Sequence, residues 1–292
     1  MSAFRRAAVI AGYEWRRALA KKKVLALVIL AVLFETLPFV LLTGVAPAFV
    51  TEEVKVTMWV FGALSGQSLF IQLVAMIIAG GSMAEEYEQG TADIMLSKPI
   101  KKDEYLAGKF LGGFLLLAFV EAIMVVLGII FAFAFFGPQR DLLFVPLVFL
   151  AIFYSTLVFF SLAFMFGEVF RRSTLSILAT FGILVVSSIA STFLSLLYQQ
   201  SLMGGAPNQF YLDASRWFPT WSATSFPSLL ISDLIKWQQN PFLFVTGTGN
   251  PLQFRTSGDV QLAAIMIGVY SLVFILIAAV RVVKSDVTKK VA

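Results

Sequence analysis

The chain has no cysteine and no histidine among its 292 residues. That excludes disulfides and thiol nucleophiles and removes the commonest metal ligands. Charge is also scarce. Only 13% of positions are charged and 59% are hydrophobic, whereas a soluble domain carries about 25% charged residues. No phosphate-binding loop is present. The one Gly-Lys pair, Gly108-Lys109, is followed by Phe110 and lacks the upstream glycine that such a loop needs. No nucleophile–base pair and no metal-ligand cluster stands out, so no catalytic or metal site is expected on this chain.

What the chain does have is apolar runs of about 20 residues or more, the length a bilayer demands. They lack the short alternating pattern of barrel strands. The expected class is an all-α polytopic membrane protein forming a single transmembrane domain. Six transmembrane helices are expected, over about 24–44, 58–82, 110–136, 142–166, 174–198 and 259–280. The first apolar run starts at Val24, behind a basic helix and without a small-residue cleavage motif, so no cleavable signal peptide is expected.

Residues 1–23 read as an amphipathic interfacial helix. Phe4, Ala8, Ala11, Trp15 and Leu19 recur at helical spacing, flanked by Arg5, Arg6, Arg16 and Arg17. A basic helix with an aromatic on its apolar side suits a membrane surface. A plain topogenic basic flank is the simpler alternative. Residues 199–258 hold five prolines and Trp217, Trp221 and Trp237. They are too aromatic for a disordered linker, and an ordered extracellular cap is expected there, with a short interfacial or re-entrant helix over Ser222 to Trp237.

Orientation follows from Lys and Arg. With six spans, the termini and the loops at 83–109 and 167–173 share 17 of the 22 basic residues, leaving 5 on the other side. Both termini are then cytoplasmic in a plasma membrane. The net charge of +5 reflects topology, and no nucleic-acid partner is needed to explain it.

The stretch Glu85 to Lys109 is the polar centre of the chain, with six acidic and four basic residues between apolar segments. Helix formers run from Met83 to Met95 and are interrupted by Gly90; Pro99 ends any helix. Asp103 is a candidate N-cap for the helix that follows. A short helix with apolar Ile94, Met95, Leu96 and Ile100 and flanking charges can seat in a groove of another protein. The alternative is an ordinary solvated loop joining two spans.

Glu88-Gln89-Gly90-Thr91, Leu96-Ser97-Lys98-Pro99-Ile100 and Tyr105-Leu106-Ala107-Gly108-Lys109 together resemble the cytoplasmic loop of type-2 ATP-binding-cassette (ABC) exporter permeases. Tyr13-Glu14-Trp15-Arg16-Arg17 resembles that family's N-terminal interfacial helix. The resemblance implies that 83–109 forms a cytoplasmic coupling helix between spans 2 and 3, resting in a cleft of a separate ABC ATPase subunit that binds ATP and Mg. Glu85, Glu86, Glu88, Gly90, Thr91 and Ile94 would lie nearest that cleft, with Pro99, Gly108 and Lys109 shaping the loop. It also implies a second permease subunit, identical or homologous. The substrate could be a lipid, a hydrophobic drug, a peptide or a glycan. Leu64-Ser65-Gly66-Gln67 looks faintly like the ABC signature peptide, but it lacks a glycine and lies in an apolar run, and is taken as chance.

Glu35 and Glu121 fall near the middle of their expected spans. A charged carboxylate at such depth costs at least ~2.5 kcal/mol, so each is expected to face the bundle interior. They and the stripe Ser65, Ser68 and Gln72 are candidates for a substrate pathway; an interhelical hydrogen bond is the simpler role. The competing function is a secondary transporter in which Glu35 and Glu121 carry protons, although no inverted repeat is visible.

Overall fold

The computed structural model of the chain describes residues 3–20, 22–44, 55–65, 69–91, 101–235 and 259–284. Among these it is helical, with no strand. The helices are α1 (Ala3–Ala20), α2 (Lys22–Gly44), α3 (Met58–Ser65), α4 (Phe70–Glu88), α5 (Lys102–Phe136), α6 (Val145–Phe170), α7 (Ser173–Met203), α8 (Gln209–Arg216), α9 (Pro219–Ile235) and α10 (Asp259–Lys284).

Four stretches are long and apolar enough to cross a membrane: 102–136, 142–170, 173–203 and 259–282. The pair 5–20 and 25–41, bent by 72°, makes a fifth if taken as one span. The expected second span is not one helix. Chain from 58 to 82 is divided between α3 and α4, and Ser68 lies outside the described residues, as does the Ser65 side chain.

Helix α6 is the central post. Phe159, Phe160, Phe164, Ser155 and Ser161 on it are fully buried, and α4, α7, α9 and α10 all pack against it. Its serine hydroxyls donate back to carbonyls three residues earlier, Ser155 to Ile152 and Ser161 to Val158. No polar atom is then left bare in an apolar surround.

Helix α7 is built inside out. Its inward line is Ser176, Thr180, Leu184, Ser187 and Ser191, while Leu178, Val186, Ile189 and Phe193 point outward. Ser176 donates to the Ala163 carbonyl at 2.6 Å, and Ser187 meets the Thr220 hydroxyl at 2.5 Å. Lipid is as apolar as leucine, so packing and hydroxyl bonds hold such a face in place.

Of the segment expected as a cap, α8 and α9 are described and 236–258 lies outside the described residues. Helix α9 packs against α6, α7 and α10, with Ser222, Ser225, Ser228 and Ser232 buried. It is a component of the bundle rather than a surface cover. Arg216 at the end of α8 reaches Asp259 at the start of α10 at 3.0 Å, both side chains buried.

Helix α5 has 35 residues, a length of about 52 Å at 1.5 Å per residue. A hydrocarbon core is only about 30 Å thick. Part of the excess is the polar start, Lys102 to Lys109, just under a quarter of the helix, which precedes the expected third span at 110–136. The helix begins after Lys101, whose side chain makes no cap. Asp103 is not the N-cap; it lies in the first turn with Glu104, where a carboxylate favours the positive end of the helix dipole.

Candidate functional site

The site is the base of the central polar stretch, where the end of α4 and the start of α5 come together under α1. Its geometry begins with two glycines. Gly108 and Gly112 are one turn apart on α5 and carry no side chain, so α1 lies directly on the α5 backbone. A Cβ on Gly108 would come within 2.7 Å of the Ile10 Cβ and 2.9 Å of the Ala7 carbonyl oxygen. One on Gly112 would come within 2.7 Å of the Glu14 Cβ and 3.0 Å of the Ala11 carbonyl oxygen. Small residues four apart on both helices, Ala7 and Ala11 against Gly108 and Gly112, permit this approach.

Contacts along the pair rise in number together. Arg6 meets Glu104, Ala11 meets Gly112, and the Trp15 ring meets Phe119 edge-on at 5.4 Å between centroids. Helices α1 and α5 therefore run parallel. The buried face of α1 is Ala7 and Ala11, flanked by half-buried Ile10, Glu14, Trp15 and Ala18. Ala8 and Leu19, on the expected apolar face, are exposed. The glycine seat on α5 decides which side of α1 turns inward, and hydrophobicity alone did not reveal it.

Ion pairs bracket the seat. Arg6 binds Glu104 through two nitrogens at 2.6 and 2.7 Å, the forked geometry that gives arginine–carboxylate pairs their strength. At the other end, the Lys109 ammonium donates to both Glu14 on α1 and Glu86 on α4. The Glu86 carboxylate also accepts from the Tyr105 hydroxyl and from Arg17 at 2.8 Å. Arg17 reaches on to the Gln89 side chain at 3.2 Å. The Lys109 and Glu86 side chains are 1% and 2% exposed, so each depends on its partners for compensation of its charge.

A second clamp holds the other side of the α4 end. The Tyr87 hydroxyl donates to Glu168 on α6 at 3.1 Å, and the Arg171 guanidinium lies 4.9 Å from the Tyr87 ring centre. Burial, reinforced by the Glu168 carboxylate, pushes the Tyr87 phenol up, which keeps it a donor. The Glu88 carboxylate accepts the Ser173 backbone N–H at 2.7 Å.

Of the residues expected nearest a partner, Glu86 is thus taken up inside the chain, and Glu85 lines a crevice beneath α1. Glu88 and Gly90 are exposed and Thr91 is half-buried. Gly90 has φ +66°, a left-handed conformation that glycine adopts without penalty, and it ends α4. Ile94 and Pro99 lie outside the described residues. Gly108 and Lys109 belong to α5. Glu14, Arg17, Tyr105 and Gly112 complete the site; the first three lay in the quoted motifs without a contact assigned to them, and Gly112 was not singled out from sequence. The signal for them was available as a Gly-x-x-x-Gly spacing beside a lysine that has no business in a membrane.

The candidate pathway residues lie elsewhere in the bundle. Glu35 and Gln72 are fully buried and Glu121 is 1% exposed; none has a hydrogen-bond partner for its side-chain polar atoms among the described residues. Glu35 sits in a notch between Gly62 on α3 and Gly128 on α5, where added Cβ atoms would come within 3.1 and 2.7 Å of its Oε1. No group of three or more Asp and Glu able to hold a metal occurs among the described residues.

The chain matches the model of the family described as ABC-2 family transporter protein, over residues 8–287. Comparison with curated proteins finds no match. With nearly its whole length matched, the chain belongs to the ABC-2 transporter family. It is a multi-pass membrane permease component of an ABC transporter.

Proposed function

We propose that this ABC-2 family chain is the membrane-spanning permease subunit of an exporter, driven by ATP that a separate nucleotide-binding subunit hydrolyses with Mg. In this reading α3 and α4 together make the second of six spans, and both termini are cytoplasmic. The stretch 83–109 is the coupling helix, and a second permease subunit, identical or homologous, completes the pathway.

The observation that carries the reading is the double clamp at the end of α4. A force applied to residues 88–91 would pass to α1 and α5 through Glu86, Arg17 and Lys109, and to α6 and α7 through Tyr87, Glu168 and Ser173. A plain joining loop has no need of buried charges at its base, because a one-sided loss of such a pair is expensive.

The experiment is co-purification. The chain is tagged, extracted in mild detergent, and whatever stays bound is identified. A stoichiometric ATPase with a phosphate-binding loop is the expected result. A clean, transport-active chain without one overturns the reading. The burial of Glu35 and Glu121 without hydrogen-bond partners then supports the second reading, a proton-coupled secondary transporter.

A further inference from the structure

Glu14, Arg17, Glu86 and Lys109 bring two negative and two positive charges together from three helices. Charge restricts how such a cluster can come apart. If α4 withdrew, it would carry Glu86 away alone and leave Lys109 and Arg17 to share Glu14. If α5 withdrew, Lys109 would leave alone. If α1 withdrew, Glu14 and Arg17 would leave together, one helical turn apart and already 3.6 Å from each other. Glu86 would then stay with Lys109 and the Tyr105 hydroxyl. Within this cluster of four, only that separation leaves both sides paired; the Arg6–Glu104 pair is broken in the same step.

In the rest of the α1 contact, Ala7 and Ala11 lie over Gly108 and Gly112, with the Ile10 side chain and the Glu14 Cβ resting on the same two glycines. In the Arg6–Glu104 pair Arg6 is 32% and Glu104 6% exposed, so parting must bring the Glu104 carboxylate into water. A crevice already follows the seam, with Glu14, Arg17 and Ala18 on one wall and Ser82, Glu85 and Gly112 on the other. Its room for water is about 50 Å³. At about 10–15 Å³ per water, that holds only a few molecules. It is a seam in its closed state, too small to be a ligand pocket.

We propose that α1 is a releasable strap. It parts from the α4–α5 base with its Glu14–Arg17 pair intact, and its release opens the crevice between Ser82 and Gly112 while Glu86 and Lys109 stay joined. The inference stands on the four charges and the seam and does not require an ATPase partner.

The absence of native cysteine allows a single reporter. Ser82→Cys is introduced in the full chain, reconstituted in lipid nanodiscs, and its labelling by a water-soluble maleimide is timed. Adding Glu14→Gln with Arg17→Gln removes a neutral pair from the strap. The chain is expected to stay folded and monodisperse while labelling accelerates about tenfold, the effect of losing roughly 1.4 kcal/mol from the closed state. Glu14→Gln with Glu86→Gln also changes two residues but leaves two cations uncompensated, and is expected to lose the monodisperse fold. Unchanged labelling in the first variant, or equal stability of the two, overturns the proposal. Hydrogen exchange on the unaltered chain is a second measurement that needs no variant. Residues 3–20 are expected to exchange faster, as one unit, than residues 102–116; equal protection overturns the strap.

Discussion

The Lys109 ammonium and the Glu86 carboxylate, 23 residues apart, donate and accept directly across the base of the central stretch, both out of reach of water. They close the stretch at its neck. The end of α4 and the start of α5 are thereby held together and cannot separate cheaply. Removing Lys109 alone leaves the Glu14 and Glu86 carboxylates to share Arg17. Lys109→Met is expected to cost about 3–5 kcal/mol, read as a fall in the thermal midpoint in detergent. Lys109→Met with Glu86→Gln should recover most of that loss. If the double variant is no better than the single, the pair is not the source of the stability.

Gly112 and Gly12 make a matched comparison. A methyl on Gly112 meets the Glu14 Cβ and the Ala11 backbone, whereas Gly12 has nothing within 4 Å. Gly112→Ala is expected to destabilise by about 1–3 kcal/mol through overpacking. Gly12→Ala should instead stabilise by up to about 1 kcal/mol, from helix propensity. Thermal unfolding of the two variants checks both signs.

Gly90 is the point where the chain turns out of α4 with a positive φ. A bulky β-branched residue there costs roughly 1–2 kcal/mol in a left-handed conformation. Gly90→Val combined with Thr91→Leu is therefore expected to weaken association with the ATPase, or its stimulation, while membrane insertion is unchanged. Normal stimulation by a correctly inserted variant would move the coupling contact elsewhere.

Tyr87→Phe deletes the hydroxyl that donates to the buried Glu168 carboxylate, whose other oxygen has no hydrogen-bond partner among the described residues. The expected cost is about 1–3 kcal/mol. It should appear as a lowered thermal midpoint, with the α1–α5 contact intact by Trp15 fluorescence.

Glu35→Gln and Glu121→Gln separate the two readings of function. Each keeps the shape of the side chain and removes its ability to ionise. An ATP-driven permease is expected to retain ATP hydrolysis and transport in both variants, measured on the reconstituted complex. Loss of transport in either, with the fold intact, would instead support proton coupling.

The helical class and the position of the polar stretch were legible from the sequence because they depend on one-dimensional quantities. An apolar run of about 20 residues has few alternatives to spanning a bilayer, and ten charges between Glu85 and Lys109 must avoid the hydrocarbon. Four stretches of the structure, 102–136, 142–170, 173–203 and 259–282, are long and apolar enough to cross a membrane and overlap four of those runs. Gly90 ends its helix, as a residue suited to positive φ would. What the tertiary structure decided is pairing. Which carboxylate meets Lys109, which face of α1 turns inward, and whether the serines of α9 look to water or to the bundle all depend on residues tens of positions away. The sequence has equal numbers of ways to match those charges on paper. Only the close approach of α1 to two glycines on α5 brings Glu14 and Arg17 within reach of Glu86 and Lys109, and that approach is a matter of backbone sterics that no composition or periodicity carries.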